Sequence, residues 1–260
     1  MRSRWLHKLQ ESGVPEVDLD DVNALLADPQ AGRQFAPEFS QSSYECMMAQ
    51  DYAIGDYVAK IGVMRSVAAF SYHDREKLIS IVQDLTKKKE YKQETMHLAG
   101  NLADRYLSIV LPQGKPLPSL FALGATVMLM AAKLEQPISP SFNRMLALLP
   151  ASEQARITKK DLIDLEEQIL LTLNFSLHAT GPIPFIERFQ RLFGIDQETL
   201  DHDFKQVGFT ARQFVKYMQR YGQFLKWKPS QLAAAAIVLS INLNLSKVGP
   251  SVGLKALRGD

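Results

Sequence analysis

From Leu120 to Ala132 every residue except Thr126 is apolar or glycine. A helix with one apolar stripe can lie on a surface, but a helix apolar on all sides must be wrapped by other elements or sit in a membrane. The run falls short of the roughly 20 apolar residues that a span requires. Pro116 and Pro118 precede it, and Pro137 and Pro140 stop it. A buried central helix over about 119–134 is the solution that remains, with proline favourable in its first turn.

The wrapping helices are visible as 3.6-residue periods. Ser42 or Ser43 can cap a helix carrying Tyr44, Met47, Met48, Tyr52 and Ile54. A second helix, from about Asp74, places Leu78, Ile81, Val82 and Leu85 on one face. A third, from about Gln93, carries Met96, Ala99, Leu102, Ala103, Tyr106 and Leu107. After the central helix, a short helix over Phe142–Leu149 is expected. Thr158 then caps a helix with Leu162, Leu165, Ile169, Leu170 and Leu173, and Asp161 completes an approximate capping box. Phe175–Pro184, with Gly181 and two prolines, reads as a linker. Phe185–Phe193, about Leu200–Leu225 and Ser230–Leu245 read as helices. Nothing reads as a strand, so the class is all-α. Residues 1–42, broken by Pro15, Pro29, Gly32 and Pro37, read as a partly disordered leader with one or two short helices.

Two segments resemble each other. Arg105-Tyr106, a loop, Pro118-Ser119 and an apolar helix are followed later by Arg220-Tyr221, a loop, Pro229-Ser230 and another apolar helix. A duplicated helical unit would explain this.

Composition narrows the function classes. The chain has 30 basic and 28 acidic residues and a formal charge of +2, so it lacks the basic excess of a nucleic-acid binder. Lys87-Lys88-Lys89, bracketed by Asp84 and Glu90, reads as a solvated helix end. No membrane span or signal peptide is expected. The single cysteine, Cys46, excludes an internal disulfide, and its Met-rich surroundings suggest a packed thiol. There is no P-loop, glycine-rich kinase loop, HExxH or nucleophile elbow. His7, His73, His97, His178 and His202 have no ligand spacing and read as surface or satisfied histidines. No enzyme activity, cofactor or metal is expected.

Some charges sit oddly in their surroundings. Lys133 ends the apolar helix, where the helix dipole favours a cation. Glu166 lies among Leu162, Leu165, Ile169 and Leu170 and is open to a solvated-face reading. The sharper reading pairs the two as a polar anchor for a partner's backbone at the rim of an apolar surface. Arg75 and Asp104 offer the same choice between solvation and a buried pair that fixes geometry.

The stretch HDREKLISIVQDLTKKKEYKQETMHLAGNLADRYLS, then FALGATVMLMAAKLEQ, then LEEQILLTLNF, resembles the first cyclin box of A- and B-type cyclins. The spacing from Arg75 to Thr95 matches without a gap. In the second half FLKWKPSQLAAAAIVLSINL is the best-matching part. The resemblance implies a cyclin fold with two helical boxes in tandem, the second shortened. It divides the chain into a leader (1–42), an N-terminal box with its preceding helix (43–177) and an incomplete C-terminal box (178–260). The chain ends at Asp260, so the last two helices of the second box are expected to be absent or abbreviated.

The implied partner is a cyclin-dependent kinase, bound as a heterodimer and activated by stabilising its C helix. Kinase substrates or inhibitors are further candidate partners, with neither nucleic acid nor membrane, and the location is the nucleus or cytoplasm of a eukaryote. On this resemblance Lys133 and Glu166 match the pair that grips the kinase. Met130, Leu134 and Phe175 match apolar positions that pack on its C helix, and Arg75 and Asp104 match a buried ion pair. The family's docking patch for Arg-x-Leu substrates maps onto Asp74, Leu78, Ile81 and Asp84. Asp74 and Ile81 replace a Met and a Trp there, so substrate docking is expected to be degraded. The alternative is a cyclin-fold adaptor that activates no kinase.

Overall fold

The computed structural model describes residues 44–55, 70–192 and 202–245. The expectations for the leader and for a cap at Ser42 or Ser43 lie outside these residues. The described residues contain helices and no strand. After a helical stretch at 44–49 come α1 (Tyr72–Lys89), α2 (Gln93–Val110), α3 (Leu120–Glu135), α4 (Phe142–Leu146), α5 (Ala151–Gln154), α6 (Lys159–Thr172), α7 (Pro182–Leu192), α8 (His202–Arg220) and α9 (Pro229–Leu245). Two compact units emerge. Among the described residues, one comprises those within Met47–Gly181 with Lys216–Pro229, and the other comprises 44–46, those within Pro182–Val215, and 230–245. The last turn of α8 therefore groups with the first of these units.

The starts of α1, α3 and α6 follow from side-chain capping. Ser71 Oγ accepts from the Asp74 N–H, and Asp74 Oδ2 accepts from the Ser71 N–H at 3.0 Å, a reciprocal box. Thr158 and Asp161 repeat that arrangement at α6. Ser119 Oγ accepts from the Ala122 N–H to open α3. Such caps contribute about 1 kcal/mol each, because they satisfy N–H groups that have no helical partner. At its far end α1 closes on Glu90 in the left-handed region, with Lys87, Lys88 and Lys89 in the last turn, where the helix dipole favours cations.

The central helix is α3, packed against α1, α2 and α6. Its residues from Ala122 to Ala132 are all buried. Close approach of α1 depends on Gly124, where a β-carbon would lie 2.9 Å from Ile81 Cγ2 and 3.5 Å from Leu78 Cδ1. In the second unit Phe185 and Phe189 stack with ring centroids 6.4 Å apart, and Arg212 reaches Glu187 at 2.8 Å. Both apolar helices open on the Pro-Ser pairs of the sequence repeat, with Ser119 as the cap of α3 and Pro229 as the first residue of α9.

Several expectations are corrected. The linker is shorter, because Pro182 and Pro184 lie in the first turn of α7. A first turn has no acceptor for its N–H groups, so proline costs nothing there. The helix expected over Phe142–Leu149 ends at Leu146 as α4, and a separate short helix, α5, follows Pro150. Cys46 is exposed rather than packed. His97 is buried, and its Nε2 has no hydrogen-bond partner among the described residues. It is therefore neither a surface nor a satisfied histidine.

Candidate functional site

Within the first unit, two ion pairs among the described residues join helices distant in sequence. Arg75, on the first turn of α1, directs Nε to Asp104 Oδ1 at 2.7 Å and Nη2 to Asp104 Oδ2 at 2.8 Å. This fork matches the planar carboxylate with two parallel bonds. The same guanidinium donates to the backbone oxygens of Gln219 at 3.0 Å and Arg220 at 3.1 Å. Arg75 and Asp104 are both fully enclosed. The pair ties α1 to α2, and the two carbonyls place the last turn of α8 on it. Gln219 adds a bond from its side-chain amide to the Met96 oxygen at 3.1 Å.

The other pair lies at the surface. Lys133, in the last turn of α3, donates from Nζ to both carboxylate oxygens of Glu166 on α6, at 2.6 and 2.7 Å. The Lys133 side chain is 37% exposed and that of Glu166 15%. Because α6 packs directly on α3, residues 33 apart in sequence meet here. The arrangement leaves a pre-formed charge pair that holds both a donor and an acceptor at the protein's edge.

Exposed apolar residues lie on the same elements. Leu134, next to Lys133, is 40% exposed, and Phe175, just past α6, is 66% exposed. Asn174 and Phe175 both have left-handed backbone, with φ of 49° and 56°. A bulky residue at positive φ is strained, and such strain gathers at binding sites. Met130, the third apolar residue matched to this surface, is 2% exposed. It stands one turn back along the wrapped part of α3, where neighbouring helices cover it.

The four residues matched to the docking patch have unlike surroundings. Leu78 is completely buried and belongs to the core. Ile81 packs against that core above Gly124. Asp74 is engaged with Ser71, whose hydroxyl and backbone N–H bonds hold its carboxyl below the usual carboxylate range. Asp84 is exposed. The four residues therefore do not form an apolar strip.

Sequence reasoning missed three participants. The Phe142 ring centroid lies 4.9 Å from Lys133 Nζ. The Gln219 and Arg220 carbonyls complete the Arg75 site. His97, buried with its Nε2 unpartnered among the described residues, lies against Gly181, and burial, reinforced by Lys216, pushes its pKa down to about 3. The Pro140-Ser141 start of a short helix was the available signal for Phe142, but backbone carbonyls leave no trace in residue identity. Among the described residues, no group of three His, Cys, Asp or Glu side chains is placed to hold a metal ion. No helix among them is long and apolar enough to cross a membrane.

The N-terminal domain of cyclins matches residues 44–178, more than half of the chain. The chain is similar to G2/mitotic-specific cyclin-B3 of Gallus gallus, with 26% identity over 244 residues, 90% of this chain and 54% of that protein. It is 32% identical to G2/mitotic-specific cyclin-B of Dictyostelium discoideum over 183 residues, 69% of this chain and 38% of that one. It thus spans about half or less of the length of these relatives. Among solved structures, a viral cyclin from herpesvirus saimiri matches with a TM-score of 0.58 at 17% identity, over 74% of this chain and 80% of that one. That likeness concerns the fold, and it agrees with the helical order around α3. A wrapped apolar helix, the helices packed on it and a family match across the same residues lead to one conclusion: the chain has the cyclin fold and belongs to the cyclin family.

Proposed function

We propose that this chain is a cyclin-type regulatory subunit, built of two tandem boxes, that binds and activates a cyclin-dependent serine/threonine kinase. The observation that carries the reading is the Lys133–Glu166 pair. It is doubly bonded and partly exposed, with exposed Leu134 next to Lys133 in sequence and the strained, exposed Phe175 just past the end of α6. A paired Lys and Glu at an apolar rim offer a donor and an acceptor to a partner's backbone, and the apolar residues supply area for a partner's helix. A kinase requires its C-helix Glu paired to its strand Lys before phosphates are positioned. A subunit that binds only that arrangement shifts the population toward it and supplies no catalytic group itself.

The expected outcome is that the Lys133→Ala/Glu166→Ala double variant loses kinase binding at least tenfold while its helical circular-dichroism spectrum is retained. Binding equal to the wild type would remove the basis for this reading. A second reading, a cyclin-fold adaptor that activates no kinase, is favoured by the docking patch, where Leu78 is buried and Asp74 occupied. Kinase activity toward a generic histone substrate, measured with and without the chain, separates binding with activation from binding alone.

A further inference from the structure

Lysine is a poor residue with which to build a fixed anchor. Its four-carbon stem loses more rotamer freedom on ordering than most side chains. Glu166 alone restrains only the charged end. A third element meets the pair here. Helix α4 packs on both α3 and α6, the helices that carry Lys133 and Glu166. It is held by its fully buried Met145 and opened by Ser141, whose hydroxyl accepts from the Arg144 N–H. Its first residue, Phe142, is half-buried and packed against the core, which fixes the ring. The Lys133 ammonium lies 4.9 Å from that ring's centroid, inside the distance at which a ring face attracts a cation.

We infer that Phe142 is the positioning residue of this anchor: its ring face holds the Lys133 ammonium against the Glu166 carboxylate, so that a partner meets an ion pair already in place. The consequence for the partner rests on the kinase-binding reading above, whereas the placement itself does not. The ring leaves the remaining N–H of Lys133 and the outer lone pairs of Glu166 for a partner, which a further charged residue would not. Binding to a pre-set group saves the ordering cost that a loose lysine would incur at the interface.

Two measurements test it. In the full chain with isotope-labelled lysine, the Lys133 ε-methylene protons should resonate upfield of the other lysines through the ring current of Phe142. The displacement should persist in Phe142→Tyr and vanish in Phe142→Leu. A wild-type signal among the ordinary lysines, or an unchanged one in Phe142→Leu, overturns the placement. Calorimetric titration with a panel of purified cyclin-dependent kinases then tests the consequence. Phe142→Leu should bind about two- to fivefold more weakly, the range a partly exposed cation–ring contact supports, and Phe142→Tyr should restore binding at a matching melting temperature. If Lys133→Ala loses binding and Phe142→Leu does not, positioning is refuted while the kinase reading stands. If Lys133→Ala binds like the wild type, the kinase reading fails and the methylene signals alone decide the role of Phe142.

Discussion

The two ion pairs use the same chemistry in opposite surroundings. Arg75 and Asp104 have side chains 1% and 3% exposed, closed off from solvent. Lys133 and Glu166 bond at nearly the same distance, yet solvent reaches both. The residue types suit the two places. A guanidinium offers several donors in a rigid fork, enough to satisfy a carboxylate and two backbone carbonyls away from water. An ammonium is a compact, well-hydrated charge that can keep one donor outward. Bond length is therefore a poor guide to what an ion pair does. The buried pair sets geometry, and the exposed pair is available to a partner.

Breaking the buried pair should produce the largest effect. Arg75→Met leaves Asp104 charged and enclosed, and the expected loss is about 3–5 kcal/mol, read by urea unfolding. Arg75→Met/Asp104→Leu should recover much of that loss, because no charge is left buried. A double variant as unstable as the single would show that the carbonyl contacts to Gln219 and Arg220 matter more than the pair.

His97 extends the comparison to a buried group whose Nε2 has no hydrogen-bond partner among the described residues. Its ordinary pKa of 6.5 is pushed down to about 3 by burial and then by Lys216. The unfolded chain protonates near 6.5 and the folded chain resists until about 3, so in this window the unfolded state binds more protons. Stability should fall as pH drops from 6.5 toward 3, by up to about 1.4 kcal/mol per pH unit, with no His97 effect above that window. His97→Gln should flatten the slope between pH 6 and 4.5, above the range in which Asp74 begins to protonate. An unchanged slope in urea titrations at several pH values would assign the acid sensitivity elsewhere.

The smallest effect on stability should come from the exposed pair. Lys133→Met is expected to change unfolding free energy by less than about 1 kcal/mol, and any difference should shrink in 0.5 M salt. A loss comparable to that of Arg75→Met would erase the distinction drawn between the pairs.

Much of the fold was legible in the sequence. The apolar run from Leu120 to Ala132 required wrapping helices, and Thr158 with Asp161 marked the start of α6 because caps depend on residues three apart. Lys133 and Glu166 stood out as charges in apolar surroundings. Phe142 did not, because an aromatic residue opening a short helix is ordinary until the helix is seen against α3 and α6. The burial of Leu78 and Met130 was legible, since Leu78 lies on the apolar face of α1 and Met130 in the helix that is apolar on all sides. Cys46 misled, because a Met-rich stretch suggested packing that the fold does not supply.

What the sequence determined by itself was local or periodic: the helical class, the central helix and most helix starts. These depend on spacings of a few residues and on an apolar pattern that leaves one solution. The tertiary structure alone decided which charges are enclosed and which are presented. Arg75 meets carbonyls 144 and 145 residues away, and Lys133 meets both Glu166 and a ring from a third helix. Burial and cross-chain pairing are set by the summed packing of helices, and no single stretch of residues encodes them.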